Sequence, residues 1–98
     1  MFTIKQTPEF SSWLSSLKDG MTRLRLARRL EKAQNGNLGD VKPVGEGVFE
    51  MREFFGPGWR MYYIVSGDTV VVMLGGGNKS TQSADIAAAI KLSKTLEE

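Results

Sequence analysis

The chain has no histidine and no cysteine, and those two gaps remove most of the usual catalytic machinery. Without cysteine there is no disulfide framework, no thiolate metal site and no thiol nucleophile. Without histidine, serine–histidine hydrolases, histidine-based nucleases and His-ligated zinc sites are excluded. Any proton transfer must use Glu, Asp, Lys, Tyr or Arg, and neither a metal nor another cofactor is expected. Long apolar runs are missing as well, since nothing approaches the ~20 residues that span a bilayer. The start MFTIKQTPEF lacks the basic-then-apolar pattern of a secretory signal. The expectation is a cytoplasmic protein with no membrane partner. At 98 residues, with 41% apolar and 24% charged, the composition fits one globular domain, 1–98, and not a disordered chain.

Charge is scarce in total but concentrated locally. The formal net charge is +2, yet residues 21–33 carry Arg23, Arg25, Arg28, Arg29 and Lys32 against Glu31 alone. Such a cluster points to an anionic partner more strongly than the total does.

Periodicity outlines the elements. Residues 2–7 alternate as a short opening strand. Thr7-Pro8 reads as a helix start, a capping side chain followed by a proline whose missing N–H costs nothing there. Phe10, Trp13, Leu14 and Leu17 follow at helical spacing, with Gly20 as the expected stop. A second helix runs from Met21 to Gln34, ending at Asn35-Gly36. It gathers Leu26, Ala27, Leu30 and Ala33 on one side and Arg25, Arg28, Arg29 and Lys32 roughly opposite. The pair is expected to form a helical hairpin. Residues 35–47, rich in glycine, read as loop. Three strands follow at 48–55, 59–65 and 69–74, the last continuously apolar and hence covered on both faces. Gly75-Gly76-Gly77-Asn78-Lys79 reads as a flexible break. Ser80 or Thr81 then caps a final helix, with Asp85 in its first turn and Ile86, Ala89, Ile90 and Leu96 on its buried side. The order β-α-α-β-β-β-α predicts an α+β fold, with helices packed on a small, mainly antiparallel sheet.

The segment FEMREFFGPGWRMYY carries the candidate chemistry. If Phe55 pairs with Trp59 across Gly56-Pro57-Gly58, then Phe54 faces Arg60 and Arg52 faces Tyr62. Strand parity puts Glu50, Arg52, Phe54, Arg60, Tyr62 and Ile64 on one face. Phe49, Met51, Phe55, Trp59, Met61 and Tyr63 fall on the other, the better core face. Two arginines converging beside a tyrosine and a glutamate fit a phosphodiester clamp with aromatic stacking on a base. They equally fit a solvated sheet face with Arg52 paired to Glu50 or Glu53. The basic stripe of the second helix is open in the same way, to nucleic-acid phosphates, to an acidic partner or to solvent. GGGNKSTQ lacks the spacing of a phosphate-binding loop, though Lys79 precedes a helix N-terminus, where anions are favoured.

The run GDVKPVGEGVFEMREFFGPGWRMYYI, followed by GGGNKSTQSADIAAA, resembles the RelE/ParE superfamily of bacterial toxins. The nearest subgroup is the HigB-like, phage Gp49-like addiction-module killer proteins. The motifs that carry the resemblance are G-x-G-[FWY]-R, an E-x-R on the neighbouring strand, and G-G-x-K-S-T-Q-x-x-D-I. The resemblance implies the toxin of a type II toxin–antitoxin module, a metal-independent endoribonuclease cutting mRNA in the ribosomal A site. Its partners would be mRNA, the ribosome and a small helix-turn-helix, HigA-like antitoxin. Arg52, Arg60 and Lys79 match the family's basic positions and would stabilise charge on the phosphorane. Glu50 is the candidate base, and Tyr62 a stacking or proton-transfer group. Lys42, Arg25, Arg28, Arg29 and Lys32 would hold RNA. Better-known members place Tyr or His near the C-terminus, and this chain has neither after Tyr63. That leaves the acid–base assignment open while the cationic positions stand. ParE-like inhibition of DNA gyrase, and a non-catalytic remnant that binds only its antitoxin, are the alternatives.

Overall fold

The computed structural model describes residues 1–96. In chain order the elements are β1 (Thr3–Gln6), α1 (Pro8–Ser16), α2 (Gly20–Gln34), β2 (Val41–Gly45), β3 (Val48–Arg52), β4 (Arg60–Ser66), β5 (Val70–Gly77), a 3₁₀ turn (Lys79–Thr81) and α3 (Gln82–Thr95). The five strands form one sheet ordered β1-β5-β4-β3-β2. Among the described residues β1–β5 is the parallel pair and the other pairs are antiparallel. The α+β fold with a mainly antiparallel sheet is therefore as predicted. Among the described residues no helix is long and apolar enough to cross a membrane.

The Thr7 cap forms as expected, its hydroxyl oxygen accepting from the Phe10 amide at 3.1 Å. The same hydroxyl donates to the Met73 carbonyl at 2.8 Å, which ties the start of α1 to β5. Gly20 does not end α1. That helix stops at Leu17, which turns to extended backbone, and Gly20 is the first residue of α2, capped by Asp19. A carboxylate that accepts from Met21 N–H and Thr22 Oγ1 outcompeted the glycine signal.

Two cores sandwich the sheet. On one face α1 and α2 bring Phe10, Leu26, Leu30 and Ala33 against Met51, Met61, Tyr63, Val71 and Met73. Phe49, Phe55 and Trp59 pack at its margin, so every residue that parity assigned to the core face lies there. The other face carries a second core that parity did not announce: Val48, Tyr62 and Leu74 under Ala89, with Ile86 and Ile90 of α3. Leu96 is exposed, past the end of α3, and does not join it. β5 serves both cores by alternation, Val71 and Met73 facing one and Leu74 the other, and Leu74 is the extra residue of a bulge opposite Tyr62-Tyr63.

Two predicted loops are strands. Val41–Gly45 pairs with β3 despite Pro43, because β2 is the outer strand, where a missing N–H is tolerated. Gly75-Gly76-Gly77, expected to be a flexible break, continues β5 and pairs with Tyr62, Met61 and Arg60. Gly76 and Gly77 serve close packing. A methyl group at Gly76 would lie 2.5 Å from the Trp13 ring, and one at Gly77 would lie 1.8 Å from Asp85 Oδ2. At Gly75 the same methyl would meet nothing within 4 Å.

Trp13 packs against Phe10 and Trp59 and has little room to yield. Gly76→Ala should therefore cost about 1–3 kcal/mol in urea unfolding. Gly75→Ala, one residue away, should stay within about 0.5 kcal/mol. Equal effects would show that strand backbone, and not the tryptophan contact, sets the requirement.

Candidate functional site

The β3–β4 ladder decides the geometry of the candidate site. Arg52 stands directly opposite Arg60, Glu50 opposite Tyr62 and Phe49 opposite Tyr63. Expected pairing across a tight Gly56-Pro57-Gly58 turn gives way to a longer loop, Glu53–Trp59, and the register moves by two residues. A shift of two keeps every side chain on its expected face. It brings the two arginines closer than the predicted diagonal.

Like charges directly opposite repel, and each arginine has its own carboxylate. Arg52 donates in a fork to Asp40, Nη2 to Oδ1 at 3.0 Å and Nε to Oδ2 at 3.1 Å. That hydrogen bond, above all, holds the Asp40 carboxyl below its ordinary range. The expected partners, Glu50 and Glu53, are occupied elsewhere. Glu50 lies 3.9 Å from Arg60 Nε, and Glu53 is bound by Arg29. Arg60 Nη1 also donates to the carbonyls of Glu53 and Trp59, each at 3.2 Å. Arg60 is 6% exposed and Glu50 1%, both beneath the edge of α3.

A recess of about 310 Å³ opens where Arg60 meets Lys79, lined also by Phe54, Gly56, Pro57 and Gly58. The Lys79 amide donates to the Pro57 carbonyl at 3.3 Å, fastening the 3₁₀ turn to the hairpin loop. Gly58 has φ +79, and a methyl there would sit 3.3 Å from Lys79 Cβ, so backbone shape and space both call for glycine. Phe54 is 76% exposed. The Arg52 and Arg60 guanidinium carbons lie 5.7 and 5.9 Å from its ring centre. An exposed aromatic face between two cations is a stacking surface for a base. Its position on the polar face of the hairpin was visible in the sequence; its exposure was not.

Tyr62 and Glu50, the residues read from the sequence as proton-transfer candidates, are placed differently. Tyr62 is fully buried under α3, with a hydroxyl that finds no partner. Burial, then the charge of Glu50, raises its pKa. It offers no face to a base and stays neutral. Glu50 is outside the recess lining and accepts from Gln82 Nε2 at 3.0 Å. The α3 helix, absent from any hairpin argument, covers both.

The basic stripe divides. Arg25, Arg28 and Lys32 are exposed, and with Arg29 and Glu53 they line a second recess of about 230 Å³. Arg25 stacks 3.7 Å above the Phe55 ring. Arg29 turns inward. It bonds the carbonyls of Leu38, Asp40 and Arg52 at 2.8 to 3.2 Å, together with the Glu53 carboxylate. Its guanidinium organises the segment before β2 and the hairpin loop. Lys42 is exposed on β2, opposite Glu50 in the ladder. Another groove, about 420 Å³ between α1 and α3, is mainly apolar, with Trp13, Leu74, Ala88 and Leu92. What sets the hairpin recess apart is two cations beside an exposed aromatic ring, not size. Among the described residues no three His, Cys, Asp or Glu side chains gather as metal ligands.

The profile of the phage-derived Gp49-like proteins matches residues 12–96. The chain belongs to the Gp49-like family. An uncharacterised protein of Haemophilus influenzae is 42% identical over 93 residues, covering 95% of this chain and 94% of that one. Among solved structures, the RelBE2 toxin–antitoxin complex of Mycobacterium tuberculosis aligns with a TM-score of 0.63. It is 20% identical and covers 80% of this chain and 98% of its own. The intact RelBE toxin–antitoxin complex of Escherichia coli aligns at 0.65 with 16% identity, covering 80% and 96%. YafQ of E. coli strain BL21(DE3) aligns at 0.60 with 15% identity, covering 84% and 98%. This Gp49-like chain therefore has the RelE-type fold.

Arg29→Ala strands three carbonyls and a half-buried carboxylate, and should cost about 2–4 kcal/mol in urea unfolding. Arg28→Ala, exposed on the same helix, should stay within about 0.5 kcal/mol. A second measurement concerns acid. The folded-state pKa of Asp40 is lowered, so its contribution holds above the unfolded value and is lost as pH falls through the folded one. Between about pH 6 and pH 2 the wild-type urea midpoint should therefore fall more steeply than that of Asp40→Asn.

Proposed function

We propose that this chain is the toxin of a type II toxin–antitoxin module and cleaves mRNA on the ribosome without a metal ion. The observation that carries the reading is the recess in which Arg60 and Lys79 converge beside the exposed ring of Phe54. Two cations and an aromatic face are the groups needed to seat a phosphodiester and an adjacent base. The RelE-type fold, shared with two solved toxin–antitoxin complexes, supports the toxin class.

In the proposed reaction the ribose 2′-oxygen attacks the neighbouring phosphorus while the bond to the 5′-oxygen breaks. Negative charge then grows on the non-bridging oxygens, where Arg60 and Lys79 stabilise it. Arg52 approaches from across the ladder once the phosphate competes with its exposed Asp40 partner. Arg25, Arg28, Lys32 and Lys42 hold the flanking strand by its phosphates. Lys79 in the recess can give a proton to the leaving 5′-oxygen, and the proposal passes the 2′-hydroxyl proton to a base outside the recess, from solvent or the ribosome. The proposed antitoxin is a small helix-turn-helix, HigA-like protein that covers these cations, partly by charge neutralisation.

Inducing the chain alone should arrest growth and leave mRNA broken at translated codons. Intact transcripts with damaged DNA would overturn the nuclease reading in favour of gyrase. Arg60 is a poor alanine target because its loss would leave Glu50 buried without a counter-ion. Arg60→Lys and the exposed Lys79→Ala should keep the fold and lower the cleavage rate about 10²–10³-fold. Phe54→Ala should weaken RNA binding by about 1–3 kcal/mol. Full toxicity in folded Lys79→Ala and Arg60→Lys would refute the site.

A further inference from the structure

The carboxylate that the sequence offers as a base sits behind the recess instead of inside it. Glu50 is shut from solvent, and its two oxygens lie 3.4 and 3.0 Å from the Gln82 amide nitrogen. Gln82 is the first residue of α3, and so this contact joins elements distant in sequence. On its other side Glu50 faces Arg60 Nε at 3.9 Å. That nitrogen is buried and, among the described residues, has no hydrogen-bond partner. Arg60 Nη1 is committed to the carbonyls of Glu53 and Trp59. Among the described residues Nη2 donates to no protein group, yet Arg60 lines the recess. Glu50 thus lies against the guanidinium at Nε and the two carbonyls hold Nη1, which leaves Nη2 as the nitrogen open to a ligand.

We propose that Glu50 and Gln82 form a positioning pair that fixes the orientation of Arg60, with Nη2 presented to the scissile phosphate. The proposal rests on the phosphodiester reading above and gives Glu50 a different role from proton abstraction. Gln82 holds the carboxylate; the carboxylate attracts the guanidinium at Nε by charge; the two backbone carbonyls fix it at Nη1. A long arginine side chain has many rotamers, and an active site needs one of them fixed before substrate arrives. A carboxylate this buried is costly to desolvate. Its use here is to direct Arg60.

The test separates positioning from the alternatives. Gln82→Ala and Glu50→Gln are purified, their folding is checked by urea unfolding, and mRNA cleavage is measured on translating ribosomes. Both should lower kcat about 10–10²-fold, leave KM for the mRNA–ribosome complex within about twofold, and keep the shape of the pH–rate profile. Loss of the acid-side limb of that profile in Glu50→Gln would make Glu50 a base and overturn the proposal. Wild-type kcat per folded molecule in both variants would also overturn it, leaving Glu50 a purely structural ion.

A readout independent of cleavage is the Arg60 Nε–H resonance. In the wild type it should be slow to exchange and ordered, and in both variants faster to exchange and more mobile. Unchanged Arg60 signals would refute the positioning pair even if cleavage falls. Loosened Arg60 in a chain that cuts no RNA would uphold the pair and reject the nuclease reading.

Discussion

Arg52 and Arg60 are held opposite one another across β3 and β4, a juxtaposition that repels unless each charge is answered. The two answers differ in kind. Asp40 meets Arg52 at the surface, in a forked pair that water and salt weaken and that a phosphate can displace. Glu50 meets Arg60 in the interior, where the pair is shielded and the guanidinium has backbone carbonyls on a second side. One cation is therefore exchangeable and the other fixed. Such a division suits a site that must capture an anion and then stabilise charge at a defined point.

The surrounding architecture keeps this arrangement in place. Arg29 reaches from α2 to the carbonyls of Leu38, Asp40 and Arg52, so the segment carrying Asp40 and the strand carrying Arg52 share one anchor. On the far side of the sheet, α3 brings Gln82 to Glu50, and the 3₁₀ turn before it brings Lys79 to Pro57. Side-chain-free positions make both approaches possible. Gly77 admits Asp85, Gly58 admits Lys79, and Gly76 admits Trp13 on the opposite face. The glycines that look like flexibility in the sequence are points of close contact.

Much of this was legible before any coordinates. Capping at Thr7-Pro8, the Asn35-Gly36 stop and the division of hairpin residues between faces all follow from local rules, and all appear. Local rules failed where a neighbour from elsewhere in the chain intervened. Val41–Gly45 is a strand because β3 offers it an edge, though its own composition reads as loop. Gly75–Gly77 is strand because β4 pairs with it. Asp19, not Gly20, marks the α1–α2 boundary, since a carboxylate cap satisfies donors that a glycine cannot.

The candidate site divides along the same line. By itself the sequence determined that His and Cys chemistry is impossible and that Arg52, Arg60, Phe54 and Glu50 share a face. Composition and strand parity depend on nothing beyond neighbouring residues, and a register shift of two preserves parity. Only the tertiary structure decided which of those residues meet solvent. It put Phe54 outside, Glu50 and Tyr62 beneath α3, Arg29 into the backbone and Lys79 beside Arg60. Burial is set by elements that arrive from distant parts of the chain, and it separates a carboxylate open to solvent from one enclosed beside an arginine.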